Sequence, residues 1–156
     1  MSAAAHPAGV AGRRGGGLRA LSAAVALVGL GIATYLTVVH YAGGTPVCAI
    51  AHGCATVQQS QYAALAGVPV AVLGVAGYLA LLASLLRDGE AWRTASAFVS
   101  FAGTGFSGWL TYVEVGVLDA ICIWCVGSAL CMVALAVLST LRMLAGPPEA
   151  EGRSTR

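Results

Sequence analysis

Four cysteines stand where they could exchange electrons. Cys122 and Cys125 form the motif Cys122-Ile123-Trp124-Cys125, and Cys48 and Cys54 lie six apart in a glycine-containing stretch. Residues three apart on a helix are neighbours, close enough for a disulfide. A bond across one turn closes a tiny loop, so it restricts the unfolded chain little and stabilises little. The same pair makes a good redox centre, because a helix N-terminus favours a thiolate and Cys-X-X-Cys thiols commonly have depressed pKa values. The thiolate is the attacking species in disulfide exchange. Gly43, Gly44 and Gly53 lie near the other pair, so its loop is expected to carry a thiol between Cys122–Cys125 and a soluble protein. Two structural staples are the bland alternative. Asp119 is expected to cap the helix that begins around Cys122. Cys131, six residues past Cys125 and about 9 Å deeper along the helix, is expected to be an inert apolar residue.

The elements that hold these residues must be membrane helices. Hydrophobic residues make up 58% of the 156, and charged residues 9%; mean hydropathy is +0.84. A soluble domain carries about 25% charged residues, so the composition excludes a soluble globular enzyme, a disordered chain and a nucleic-acid binder. A membrane helix needs about 20 mostly apolar residues. Four uncharged stretches qualify: about 20–41, 67–86, 94–113 and 120–141. The first follows Arg13-Arg14 as a twin-arginine signal would, but no cleavage site follows, and it reads as an uncleaved helix. The expected fold is an all-α integral membrane bundle of four helices in one domain, with flexible tails at 1–17 and 146–156.

The arginines set the orientation. Arg13, Arg14 and Arg19 precede the first span, Arg87 and Arg93 flank the turn between the second and third, and Arg142, Arg153 and Arg156 follow the fourth. Cationic residues accumulate on the cytoplasmic side, so both termini are expected there and the arginine-free loops 42–66 and 114–119 outside. Outside is oxidising, where disulfides persist. Small residues at Gly29 and Ala33, Gly74 and Gly77, and Gly103 and Ser107 are expected to let helices approach closely.

The first outer loop, about 25 residues, exceeds what a bundle connection needs. After Cys54 it has no helix breaker before Gly67, and a short helix capping the bundle mouth is expected. Zinc would call for paired Cys-X-X-Cys motifs, and one occurs. Cys48, His52 and Cys54 could ligate a metal, but His52 reads better as a loop histidine, and His40 as an interfacial one; no metal is expected. An electron relay in lipid needs a lipid-soluble end point, and a quinone docked beneath the outer loop against Cys125 is the simplest.

With these residues in hand, the chain resembles the vitamin K epoxide reductase family, in particular its bacterial members, over about 20–141. Matching parts are Cys48 and Cys54, Ser60 six residues on, Gly67-Val68-Pro69 ahead of VAVLGVAGYL, and the Cys122–Cys125 motif, in that order. The other four-helix family of membrane disulfide oxidases places its Cys-X-X-Cys before the second pair. The resemblance implies a quinone-dependent, disulfide-generating oxidoreductase. Cys125 would react with the quinone, a menaquinone or ubiquinone, and Cys122 would be its disulfide partner. Cys54 would exchange with Cys122, and Cys48 with a separate thioredoxin-like extracytoplasmic protein, since about 15 residues follow the last span. Ser60 would lie in the capping helix near the quinone. Ala55 stands where bacterial relatives often carry a polar residue, and Val126-Gly127-Ser128-Ala129 lacks the tyrosine of vertebrate members. The expected location is a bacterial cytoplasmic membrane; an alanine- and glycine-rich, lysine-free chain suits a high-GC bacterium. The rival readings are a metal-handling membrane protein and a structural tetraspan with inert disulfides.

Overall fold

A computed structural model describes residues 8–48, 53–87 and 89–145. Four long helices dominate: α1 (Ala8–Tyr41), α3 (Val70–Leu85), α4 (Glu90–Gly116) and α5 (Ile123–Leu144), with a one-turn-and-a-half helix α2 (Cys54–Gln59) between the first two. Helices satisfy every backbone polar group within the segment, which is what an apolar, proline-free run needs in the absence of water. Glycine ends α1: Gly43 takes φ +66°, its N–H donates to His40 O (3.2 Å), and the Gly44 N–H donates to Val39 O (3.0 Å). These two bonds make a Schellman end and turn the chain into the outer loop.

After α2 comes a single 3₁₀ turn, Gln61–Ala63, and a minimal antiparallel hairpin, β1 (Ala64–Leu65) with β2 (Val68–Pro69). Ala66 (φ 51°) and Gly67 (φ 83°) form its two-residue turn, both at the positive φ that a type I′ hairpin requires. This shifts the second expected span. Gly67, Val68 and Pro69 belong to the hairpin, and the helix starts at Val70. The first helix extends in the other direction, since the described part of the expected N-terminal tail, from Ala8, is its first turns. The stretch 146–156 lies outside the described residues, as does His52.

Among the described residues, two helices are long and apolar enough to cross a membrane, Gly15–Tyr41 and Ile123–Leu144; Val70–Leu85 is apolar but shorter. The α4 helix has 27 residues and carries Glu90, Arg93 and Glu114 near its ends. Short connections make neighbours antiparallel. The α1 helix packs on α3 and α5, and α4 packs on α3 and α5, closing a four-membered ring. Its centre is Ala26, Ala33, Tyr78, Leu81, Met132 and Leu135. The small residues do what their spacing suggests. A side chain at Gly29 would overlap the Tyr78 ring, one at Gly74 would come within 3.3 Å of Ala33 Cβ, and one at Gly103 within 2.8 Å of Met132 Sδ. Tyr78 also ties α3 to α5 by donating to Ser128 O at 2.9 Å.

The ring has two unlike ends. Arg87, Arg93 and Arg142 gather where α3 and α5 end and α4 begins: Arg93 donates to Arg142 O (3.4 Å), and Arg87 lies 4.6 Å over the Trp92 ring. The cysteine-bearing segments occupy the opposite end. Between them, Leu27, Phe98, Leu130 and Val137 face outward, an apolar girdle of the kind that a water-exposed monomer does not carry.

Candidate active site

Local chain geometry places Cys122 first. The turn from α4 returns on itself: Leu118 N donates to Val113 O (2.9 Å) and Ala120 N to Glu114 O (2.9 Å). Asp119 takes φ +46° in this turn and does not cap α5. The cap is Cys122 itself, whose sulfur accepts the Cys125 N–H at 3.4 Å. The motif's spacing therefore does two jobs: it puts Cys125 in the first helical turn and aims the Cys122 sulfur at the exposed backbone donors.

The loop brings the other pair to the same place. Cys48 and Cys54 form a disulfide with Cα atoms 6.3 Å apart, while Cys122, Cys125 and Cys131 are free thiols. Cys54 (1% exposed), Val57 and Cys122 (0%) form one buried cluster, with Cys48, Leu118, Ile123, Trp124 and Cys125 packed against it. Cys131 packs instead in the bundle core, as its depth suggests. Bridged, Cys48 and Cys54 offer no thiolates to a metal, and His52, the third ligand of the rival metal reading, lies outside the described residues. Among the described residues, no group of three His, Cys, Asp or Glu could hold a metal ion.

Three contacts hold the loop down. Gly53 sits so close to the α4–α5 turn that a Cβ there would lie 2.8 Å from Ile121 O and 3.0 Å from the Ala120 carbonyl carbon. The Trp124 indole N–H donates to Val47 O (2.9 Å), and Val47 N–H donates to the Tyr35 hydroxyl (3.0 Å); the two rings meet at 4.8 Å. Tyr62, in the 3₁₀ turn, packs edge-on against Trp109 at 6.2 Å.

Beneath the loop lies a cavity of about 390 Å³, mostly apolar in lining. That size suits a small-molecule ring. Val57, Leu65, Phe98, Phe106 and Met132 supply apolar wall; Gln58, Ser60, Tyr62, Glu114 and Cys125 supply the polar points. Ser60 lines the cavity but follows α2 as its C-cap rather than lying within it, and its hydroxyl donates to Val57 O (2.8 Å), which leaves only its lone pairs for a ligand.

Sequence reasoning missed two polar neighbours of Cys125. Gln58 Nε2 donates to its sulfur at 3.6 Å; four residues past Cys54 on a helix, it shares that residue's face. Glu114, 3% exposed, lies one residue beyond the expected third span and accepts the Cys122 N–H at Oε2 (3.0 Å). Burial raises its pKa above the ordinary 4.5, opposed by hydrogen bonds from the Cys122 N–H and the Cys125 thiol. A carboxylate eight residues before the motif in a chain with six acidic residues was the available signal. Cys122, just ahead of the α5 helix, has its thiol lowered, first by a side-chain hydrogen bond with Cys125 and against its own burial.

A disulfide, a dithiol and an apolar cavity therefore meet at one end of a helical bundle. The sequence model of the Vitamin K epoxide reductase family matches residues 20–140. The match spans all four long helices and both cysteine pairs, and the chain belongs to the vitamin K epoxide reductase family.

Proposed function

We propose that this protein oxidises a separate thioredoxin-like protein outside the cytoplasm and passes the electrons to a quinone in the bilayer, thereby supporting disulfide formation. Family membership supports a membrane thiol–disulfide oxidoreductase. The observation that carries the finer reading is the buried cluster of both cysteine pairs at the edge of an apolar cavity. In this reading the four long helices all span the membrane as a single domain. The arginine end faces the cytoplasm with both termini, and the loop end faces outward.

The roles follow the order of the relay. A partner thiolate attacks Cys48, and the resulting mixed disulfide resolves to leave the partner oxidised and Cys48 and Cys54 as thiols. Cys54 then attacks Cys122 of the Cys122–Cys125 disulfide, and the loop disulfide re-forms as Cys48 displaces Cys122. The helix dithiol that remains reduces the quinone: two S–H bonds break, one S–S bond forms, and two electrons and two protons leave as quinol. Cys125, at the cavity wall, faces the quinone, with Gln58 donating to its sulfur and Ser60 lining the same cavity.

Purified, pre-reduced protein mixed with a short-chain ubiquinone or menadione tests this by ultraviolet absorbance. The wild type is expected to consume the quinone band and Cys125→Ala to leave it. Consumption at the wild-type rate by Cys125→Ala would sink the assignment. Stoichiometric zinc or copper in the same preparation would favour metal handling instead.

A further inference from the structure

We infer that Glu114 is the proton carrier of the quinone-reducing step, taking hydrogen from the Cys125 thiol and delivering it to a quinone oxygen. This rests on the quinone reading above. The geometry ties one carboxylate to both cysteines of the motif. Its Oε2 accepts the Cys122 N–H at 3.0 Å, and it lines the same cavity as Cys125, whose own N–H is held by the Cys122 sulfur at 3.4 Å. Its own backbone carbonyl is fixed by Ala120 N at 2.9 Å, so the side chain leaves a rigid point.

A buried carboxylate that held only a backbone N–H would be poor design. An amide or hydroxyl would accept that bond without the desolvation cost of a charge. Among the described residues, no arginine or histidine appears among its electrostatic partners. What an ionisable group adds is the ability to take up a proton. The Cys125 thiol has one proton and two neighbouring groups that could take it, the Cys122 sulfur it packs against and Glu114 on the same cavity wall. Passing it to sulfur only moves it within the dithiol, whereas passing it to Glu114 moves it onto the cavity wall.

The step balances. Glu114, ionised, accepts the Cys125 proton and hands it to one quinone oxygen. The Cys122 proton follows by the same carboxylate to the second oxygen. The Cys122–Cys125 bond forms as the electron pair passes to the quinone. Two thiols and a quinone become a disulfide and a quinol, and Glu114 ends as the carboxylate it began. Burial raises its pKa, which brings its proton affinity nearer to the working pH that general acid–base catalysis needs. Among the described residues, the titratable groups around it are Cys122 and Cys125 from the start of α5 and Tyr62, which lines the same cavity.

Single-turnover reduction of a short-chain ubiquinone by pre-reduced protein across pH 5–9 tests the assignment, with wild type, Glu114→Gln and Glu114→Asp compared. Glu114→Gln keeps an oxygen for the Cys122 N–H but cannot carry a proton. It is expected to lose roughly a hundredfold in rate, the low end of general acid–base contributions. It should also lose the wild type's rise in rate with pH through the carboxylate's ionisation. Its exchange between Cys48–Cys54 and a small thiol should stay at the wild-type rate, which separates chemistry from misfolding. Glu114→Asp is expected to keep the pH limb and to stay within about tenfold of wild type, and this variant decides the matter should the Gln variant not fold. An active wild type whose rate and pH limb survive in Glu114→Gln overturns the role of Glu114 and leaves the quinone reading standing. Loss of the limb in a folded Glu114→Asp also overturns it. A wild type inert toward quinones overturns both.

Discussion

The two cysteines of the helix motif differ in what surrounds them. Cys122 is fully buried as the N-cap of α5 and meets the loop disulfide; Cys125 meets Gln58, Glu114 and the cavity. Division of labour follows from the turn geometry, since residues three apart on a helix share a face but sit at different depths. Trp124, between them, is not a spacer. Its indole N–H holds Val47, the residue before Cys48. Replacing Trp124 with Phe removes one hydrogen bond worth about 1 kcal/mol while keeping a ring against Tyr35. Transfer from the loop dithiol to the Cys122–Cys125 disulfide is expected to slow by up to about fivefold on that basis, with quinone reduction by the pre-reduced helix pair unchanged. Stopped-flow measurement of the two half-reactions separates them, and equal slowing of both would remove the tethering role.

At the scale of elements, the loop meets the α4–α5 turn through backbone and not only through side chains. Gly53 is the contact point. In Gly53→Ala the new methyl meets the Ile121 and Ala120 backbone at 2.8 and 3.0 Å, closer than real Cβ contacts, and backbone has little room to yield. Overpacking of this kind costs about 1–3 kcal/mol. The variant is expected to keep its fold in the bundle, but to expose Cys54 to alkylation after mild reduction and to slow loop re-oxidation. Unchanged Cys54 protection would show that the turn can move aside. Gly67, by contrast, has open space around it, so its constraint is the φ of 83° alone. The difference between these glycines is steric against conformational, and the sequence presents them alike.

For the whole molecule, segregation of charge is the governing feature. Arginines gather at one end and thiols at the other, with an apolar girdle between. An arginine in hydrocarbon costs several kcal/mol, so these ends mark the two membrane faces in the proposed orientation. A chain whose five cysteines are Ala, with Thr45→Cys or Glu90→Cys added, checks it in intact spheroplasts. A membrane-impermeant maleimide is expected to label Thr45→Cys and not Glu90→Cys. The reverse pattern would invert the orientation and remove access of the outer partner to Cys48.

What the sequence alone determined was whatever depends on periodicity, composition and order along the chain. Apolar run length located the four long helices, but α1 begins twelve residues ahead of the expected span, and Gly67, Val68 and Pro69 of the expected second span belong to the hairpin. Arginine placement marked one end of the bundle, small residues marked the close helix crossings, and cysteine spacing set the two pairs apart from Cys131. What only the tertiary structure decided was which residues meet across long sequence separations. Asp119 looked like the helix cap because of its type and position, but the chain takes a positive φ there and Cys122 caps instead. Gln58 and Cys125 are 67 residues apart, and Trp124 and Val47 are 77 apart. Glu114 opened the expected outer loop 114–119; its burial depends on the turn that folds Cys122 back over it. Local pattern encodes which face of a helix is apolar, whereas desolvation of a carboxylate is a property of the space that other segments enclose.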